Sequence, residues 1–143
     1  MITLKPIDRN NFIAILKLSV SVPQQEFVAS NSFSLAQSKV QPECVPLAVY
    51  DGDLPVGFVM YAMDEDDLEY WIYRVMIDKS CQSRGYGREA MRRLIALIRE
   101  DTAHRIIYIS FEPSNSWAMA LYESMGFVPD GRIEDGEIVY RLD

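Results

Sequence analysis

Tyr73-Arg74-Val75-Met76-Ile77-Asp78-Lys79-Ser80-Cys81-Gln82-Ser83-Arg84-Gly85-Tyr86-Gly87 opens as an apolar strand and closes on two glycines. The strand reads from Glu69 to Asp78. After the glycines, Ala90, Met91, Leu94, Ile95, Leu97 and Ile98 recur at helical spacing, while Arg88, Arg92, Arg93 and Arg99 occupy much of the remaining face. A helix of this kind buries its apolar stripe against a sheet. Between strand and helix, Gln82 to Gly87 places consecutive backbone N–H groups where they converge on an anion. Gly85 and Gly87 tolerate positive φ and leave no Cβ in the way of phosphate oxygens. Alone, a glycine pair here is ordinary turn chemistry. The loop lacks the Gly-Lys-Ser/Thr of a P-loop and the third glycine of a dinucleotide fingerprint.

Upstream, Ile2 to Ile7 reads as a strand, and Asp8-Arg9-Asn10-Asn11 offers capping side chains before the helical pattern of Phe12, Ile13 and Leu16. That helix should end before Pro23. Gln24 to Val40 is polar with scattered apolar residues, which suggests one or two short surface helices. Leu47 to Tyr50 and Val56 to Met63 read as two strands joined at Asp51-Gly52-Asp53. Downstream, Arg105 to Phe111 reads as a buried strand, Asn115 opens a short helix through Ser124, Gly126 caps it, and Ile138-Val139-Tyr140 supplies a last strand. The order predicts an α/β or α+β domain with a mixed sheet, and no linker or repeat divides residues 1–143.

The 143 residues are 49% hydrophobic and 24% charged, with no apolar run of the roughly 18 residues a membrane span requires. Met1 to Lys5 shows no basic stretch before an apolar segment, so no secretory leader is expected and a cytoplasmic location is the default. Cys44 and Cys81 form no metal-ligand cluster, so reduced thiols and no metal site are expected. A formal net charge of −7 argues against general nucleic-acid binding and suits either a cationic partner or simple solubility.

Gln82-x-x-Gly85-x-Gly87 after this strand resembles the Q/R-x-x-G-x-G/A motif of the GNAT N-acetyltransferases. One helix and one strand later, Asn115-x-x-Ala118-x-x-Leu121-Tyr122-x-x-x-Gly126-Phe127 resembles the second signature of that superfamily. Two motifs in the right order are far more specific than either alone. The resemblance implies a mostly antiparallel mixed sheet flanked by helices, with splayed central strands, and acetyl-CoA as cosubstrate. It implies that Gln82, Ser83, Arg84, Gly85, Tyr86, Gly87 and Arg88 receive the pyrophosphate. It further implies that the backbone of Val75, Met76 and Ile77 meets the pantetheine and the developing oxyanion, with Asn115, Ala118 and Tyr122 beside them. Many relatives dimerise, so a homodimer is expected on the same ground.

A thioester is already activated, so positioning, oxyanion stabilisation and proton handling are what remain for the protein. In the family the tyrosine matching Tyr122 protonates the departing thiolate; a buried tyrosine with one hydrogen bond is the competing reading. An alkylammonium has a pKa near ~10 and must lose a proton before attack. Glu69 and Glu112, at the ends of the two central strands, are the candidates, and the choice stays open. His104 falls at the remote end of the sheet. Asp64, Glu65, Asp66, Asp67 and Glu69 place five acids in six positions, either as a solvated turn or as a seat for the distal ammonium of a polyamine. Tyr70-Trp71-Ile72-Tyr73-Arg74 and Phe111-Glu112-Pro113-Ser114-Asn115 resemble bacterial spermine/spermidine acetyltransferases. The expected activity is therefore acetyl transfer to a primary amine such as spermine or spermidine. A protein N-terminus, another small amine, and a noncatalytic acyl-CoA-binding module are the alternatives.

Overall fold

Alternating and continuous apolar runs pair into one seven-stranded sheet in the computed structural model, which describes residues 1–143. The strands are β1 (Ile2–Pro6), β2 (Cys44–Asp51), β3 (Leu54–Met63), β4 (Tyr70–Ile77), β5 (Ile107–Phe111), β6 (Val128–Glu134) and β7 (Glu137–Leu142). Their spatial order is β1-β2-β3-β4-β5-β7-β6. Every neighbouring pair is antiparallel except β4 and β5, which are parallel because a helical crossover joins them. The helices are α1 (Phe12–Lys17), α2 (Asn31–Val40), α3 (Tyr86–Ile98) and α4 (Ser116–Ser124), with a 3-10 segment at Val22–Glu26. The mixed, mainly antiparallel single domain expected from the sequence is thus present.

Two apolar clusters divide by sheet face. On one face, Ala90, Met91, Leu94 and Ile98 of α3 and Ala118 and Tyr122 of α4 pack with Val59, Ile72, Ile109 and Phe111. On the other, Ile15 of α1 packs with Ala48, Phe58, Met60 and Met76. Burying both faces is what makes β3 and β4 read as nearly unbroken apolar runs.

β4 changes phase midway. Ile72 and Val75 both pack on the α3/α4 face although they are three residues apart. The pairing explains it: Arg74 lies opposite Met60 and Ile72 opposite Tyr61, so Tyr73 is an extra residue in a β-bulge. Tyr73 and Arg74 are thereby both turned toward the α1/α2 side, where Tyr73 packs against the second cluster and Arg74 donates to Gln37 of α2 at 2.9 Å. β4 and β5 pair only from Tyr70 to Ile72 against Ile107 to Ile109. Past that point they diverge, which is the expected splay.

The sequence reading contains no counterpart of β6. All of its residues but Asp130 are exposed, and a bulge interrupts its pairing between Pro129 and Ile133, so neither burial period nor an apolar run marks it. β2 also starts earlier than read, at Cys44, with Pro46 tolerated inside it.

Candidate functional site

Where β4 and β5 part, two cavities open into one path. The narrower, about 160 Å³, is lined by Val75, Met76, Ile77, Gln82, Asn115 and Trp117 among others. The wider cleft, about 640 Å³, shares Val75, Asn115 and Trp117 with it and adds Tyr73, Arg74, Ser110, Tyr122 and a set of acids. One end of the path meets the Gln82–Gly87 loop; the other opens among carboxylates.

The loop is shaped by backbone rather than by side chains. Ser83 and Gly85 both adopt left-handed conformations, at φ 65° and 81°. Gly85 is the N-cap of α3 and supplies no side-chain cap, so the first N–H groups of that helix have no capping partner. A Cβ on Gly85 would meet nothing within 4 Å, which leaves the approach to those N–H groups open. An anionic group of the pyrophosphate kind fits such a cradle. Gly87 has another purpose: a Cβ there would lie 3.2 Å from Cζ2 of Trp117, so its absence lets α4 close on the start of α3.

Gln82 ties the loop to its surroundings, donating to the Ile77 carbonyl at 3.0 Å and to Oε1 of Gln24 at 2.8 Å. Tyr86 donates its hydroxyl to Asp51 at 2.6 Å, and Arg88 donates to Oγ of Ser124 at 2.7 Å. These two side chains are engaged within the protein, whereas Ser83 and Arg84 stay exposed at the loop. Asn115 caps α4 by accepting from the Ala118 amide at 3.2 Å and lines both cavities. Ala118 itself is buried between the helices and lines neither.

Tyr122 reaches the cleft from the α3/α4 face. Its residue is only 5% exposed, its ring packs edge-on against Phe111 at 5.5 Å, and its hydroxyl makes no hydrogen bond within the chain. Burial pushes its pKa up, and the negative charge of Glu137 adds to the effect. The phenol is therefore a neutral donor across the ordinary pH range.

Five carboxylates line the cleft, Asp64, Asp66, Asp67, Glu134 and Glu137, against the guanidiniums of Arg74 and Arg132. Asp64 accepts from the Tyr73 hydroxyl at 2.9 Å and Asp67 from the Trp71 indole at 2.8 Å. Asp66 has no such side-chain partner. Glu134 pairs with Arg132 at 3.3 Å, and Arg132 also lies over the Tyr108 ring at 4.9 Å. Arg74 has no carboxylate partner, and burial lowers its pKa.

Of the sequence-predicted acids, Asp64, Asp66 and Asp67 are brought together here, while Glu65, Glu69 and Glu112 are not among the lining residues. Glu134 and Glu137 were missed by sequence reasoning. Their only sequence signal is an acid at either end of the Asp135-Gly136 turn, far along the chain from the other site residues. His104 pairs with Asp101 at 3.0 Å, at the end of α3 opposite the glycine loop.

Comparison with known proteins agrees with this geometry. The model of the acetyltransferase (GNAT) family matches residues 7–127. The spermine/spermidine N(1)-acetyltransferase of Bacillus subtilis (strain 168) is 34% identical over 146 residues, spanning 96% of this chain and 95% of that protein. Among solved structures, spermidine N-acetyltransferase from Vibrio cholerae in complex with CoA and spermine superposes with a TM-score of 0.76 at 18% identity, covering 98% of this chain and 92% of that one. An aminoglycoside acetyltransferase in complex with coenzyme A and kanamycin gives 0.81 at 20% identity, covering 100% and 94%. The matched family model, the glycine loop at the mouth of the β4/β5 gap and Tyr122 inside it lead to one conclusion: the chain belongs to the acetyltransferase (GNAT) family and is an acetyl-CoA-dependent N-acetyltransferase.

Proposed function

We propose that the enzyme transfers the acetyl group of acetyl-CoA to a primary amine of a polyamine of the spermine or spermidine class. The observation that carries this reading is the cleft itself, where Tyr122 stands near the gap and Asp64, Asp66 and Asp67 stand on the same wall as Trp71 and Tyr73. A diamine or longer polyamine needs one uncharged nitrogen at the thioester and a carboxylate for each remaining ammonium. Five carboxylates against two guanidiniums leave the cleft net negative, which favours a multiply charged cation over a monoamine. The relatives named for spermine and spermidine support the same class.

In this reading the N–H groups at the start of α3 hold the pyrophosphate, Val75 to Ile77 lend their backbone to the pantetheine, and a backbone N–H of β4 steadies the developing oxyanion. Tyr122, neutral and unengaged, hands its proton to the departing thiolate. Thiol release from acetyl-CoA across spermine, spermidine, putrescine, an aminoglycoside and N-terminal peptides tests the proposal. Polyamines should give the highest kcat/KM. A preference for the peptides would replace the polyamine by a protein N-terminus, and acetyl-CoA binding without thiol release for any amine would leave a binding module.

A further inference from the structure

Removing a proton from the acceptor ammonium requires a base, and neither Glu69 nor Glu112 lines the cleft. Glu137 does. It opens β7, and its carboxylate accepts from Oγ of Ser110 on β5 at 2.8 Å. The β5/β7 register sets Ser110 opposite Val139 and Phe111 opposite Ile138. Side chains alternate along a strand, so Ser110 and Glu137 share the face turned away from α3 and α4, while Phe111 and Ile138 join the core beneath them. Tyr122 comes from that core. The β4/β5 gap is where groups from the two faces reach one space, and Ser110, Glu137 and Tyr122 all line it.

We propose that Glu137, oriented by Ser110, is the base that accepts the proton of the acceptor ammonium. The inference rests on reading this cleft as the acceptor site. Charged and titratable neighbours line the same cleft from several elements: Tyr73 and Arg74 from β4, Tyr122 from α4, Arg132 and Glu134 from β6, and Asp64, Asp66 and Asp67 from the turn before β4. Glu134 sits opposite Glu137 in the hairpin but is held by Arg132 at 3.3 Å, so of this pair only Glu137 is free of a cation and bound by a neutral hydroxyl. The steps balance. The ammonium proton passes to the Glu137 carboxylate directly or through one water, and the freed electron pair on nitrogen forms the C–N bond at the thioester carbonyl. As the C–S bond breaks, Tyr122 protonates the thiolate; the surplus proton on the new amide nitrogen returns to the tyrosinate through water, and Glu137 releases its proton to solvent.

The test compares wild type with Glu137→Gln and Ser110→Ala, using spermine at saturating acetyl-CoA. For Glu137→Gln, kcat should fall about 10²–10⁴-fold near neutral pH with acetyl-CoA affinity unchanged. Its residual rate should climb about tenfold per pH unit toward the pKa of the amine near ~10, a steeper rise than in wild type, because only spontaneously deprotonated amine remains reactive. Ser110→Ala should lower kcat less and leave KM in place, as a positioning residue would. Should Glu137→Gln lose acetyl-CoA affinity through misfolding, the pH profile of Ser110→Ala decides, with a smaller steepening in the same direction expected and an unchanged profile counting against the proposal. A wild-type kcat and pH profile in Glu137→Gln overturns the proposal and leaves the polyamine reading standing. A raised KM for spermine with kcat intact does so too, making Glu137 an ammonium seat. Wild-type protein that releases no thiol with any amine overturns both.

Discussion

The proton-donor role proposed for Tyr122 rests on where α4 puts it: packed against Phe111 and Phe127, 5% exposed, with a hydroxyl that no group of the chain engages. Replacing it with Phe keeps the packing and removes only the proton donor. We expect kcat to fall about 10²–10⁴-fold with acetyl-CoA affinity unchanged, measured where chemistry limits the rate; an unchanged kcat would make it a packing residue. The raised pKa has a second consequence. In the unfolded chain the phenol ionises near ~10, whereas the fold holds the proton to higher pH. The stability this contributes is complete below pH ~10 and is lost as pH rises beyond it, because the native state then binds a proton that the unfolded state has released. Thermal melts of Tyr122→Phe should therefore decline less steeply above pH ~10 than those of wild type. Tyr70, pushed up to about 12 by burial and by its bond to Asp101, and Tyr73, raised by burial and by its bond to Asp64, remain in both proteins and contribute to the residual slope with the other raised tyrosines.

Among the elements, β4 and the loop after it carry the proposed site. Gly57 of β3 shows how closely β4 is packed, since a Cβ there would collide with the Met76 carbonyl and the Ile77 side chain. Gly57→Ala should cost about 1–3 kcal/mol in urea unfolding and weaken acetyl-CoA binding by shifting the strand that lines the channel. Gly85→Ala separates two effects differently. Its left-handed φ of 81° costs an alanine about 1–2 kcal/mol, and the added Cβ would stand in open space at the start of α3. A melting temperature lowered by that strain should accompany an acetyl-CoA Kd raised about tenfold, read by titration; unchanged affinity in the folded variant would remove the loop from the cofactor site.

The same elements show what a sequence can disclose. α3 was legible because its apolar residues recur at helical spacing, and of the six read as its stripe Ala90, Met91, Leu94 and Ile98 are buried while Ile95 and Leu97 are partly so. Asn115, Gly126 and the Gln82–Gly87 loop were legible because caps and turns demand particular residue types. The bulge at Tyr73 was not, since both faces of β4 are apolar and an extra residue leaves no break in the pattern. β6 escaped because an exposed edge strand has no buried period to reveal it. Glu137 escaped for a different reason: it joins Tyr122 only through the β5/β7 pairing, which a linear reading does not contain.

For the whole molecule, the proposed polyamine reading draws on a formal net charge of −7 where that charge is concentrated. The acidic run divides in the fold: Asp64, Asp66 and Asp67 line the cleft, and Glu65 and Glu69 do not. Electrostatic preference for a polycation should weaken with salt, because partly exposed charges are screened over about 10 Å at 0.1 M. The decisive quantity is the ratio of kcat/KM for spermine to that for a simple alkyl monoamine, measured in wild type and in Asp66→Asn/Asp67→Asn, with Glu65→Gln as control. The wild-type ratio should lie well above one, fall with added salt and collapse toward one in the double variant, while Glu65→Gln keeps the wild-type value. A ratio that is the same in all three proteins at every ionic strength would contradict the assignment of this cleft to a polyamine.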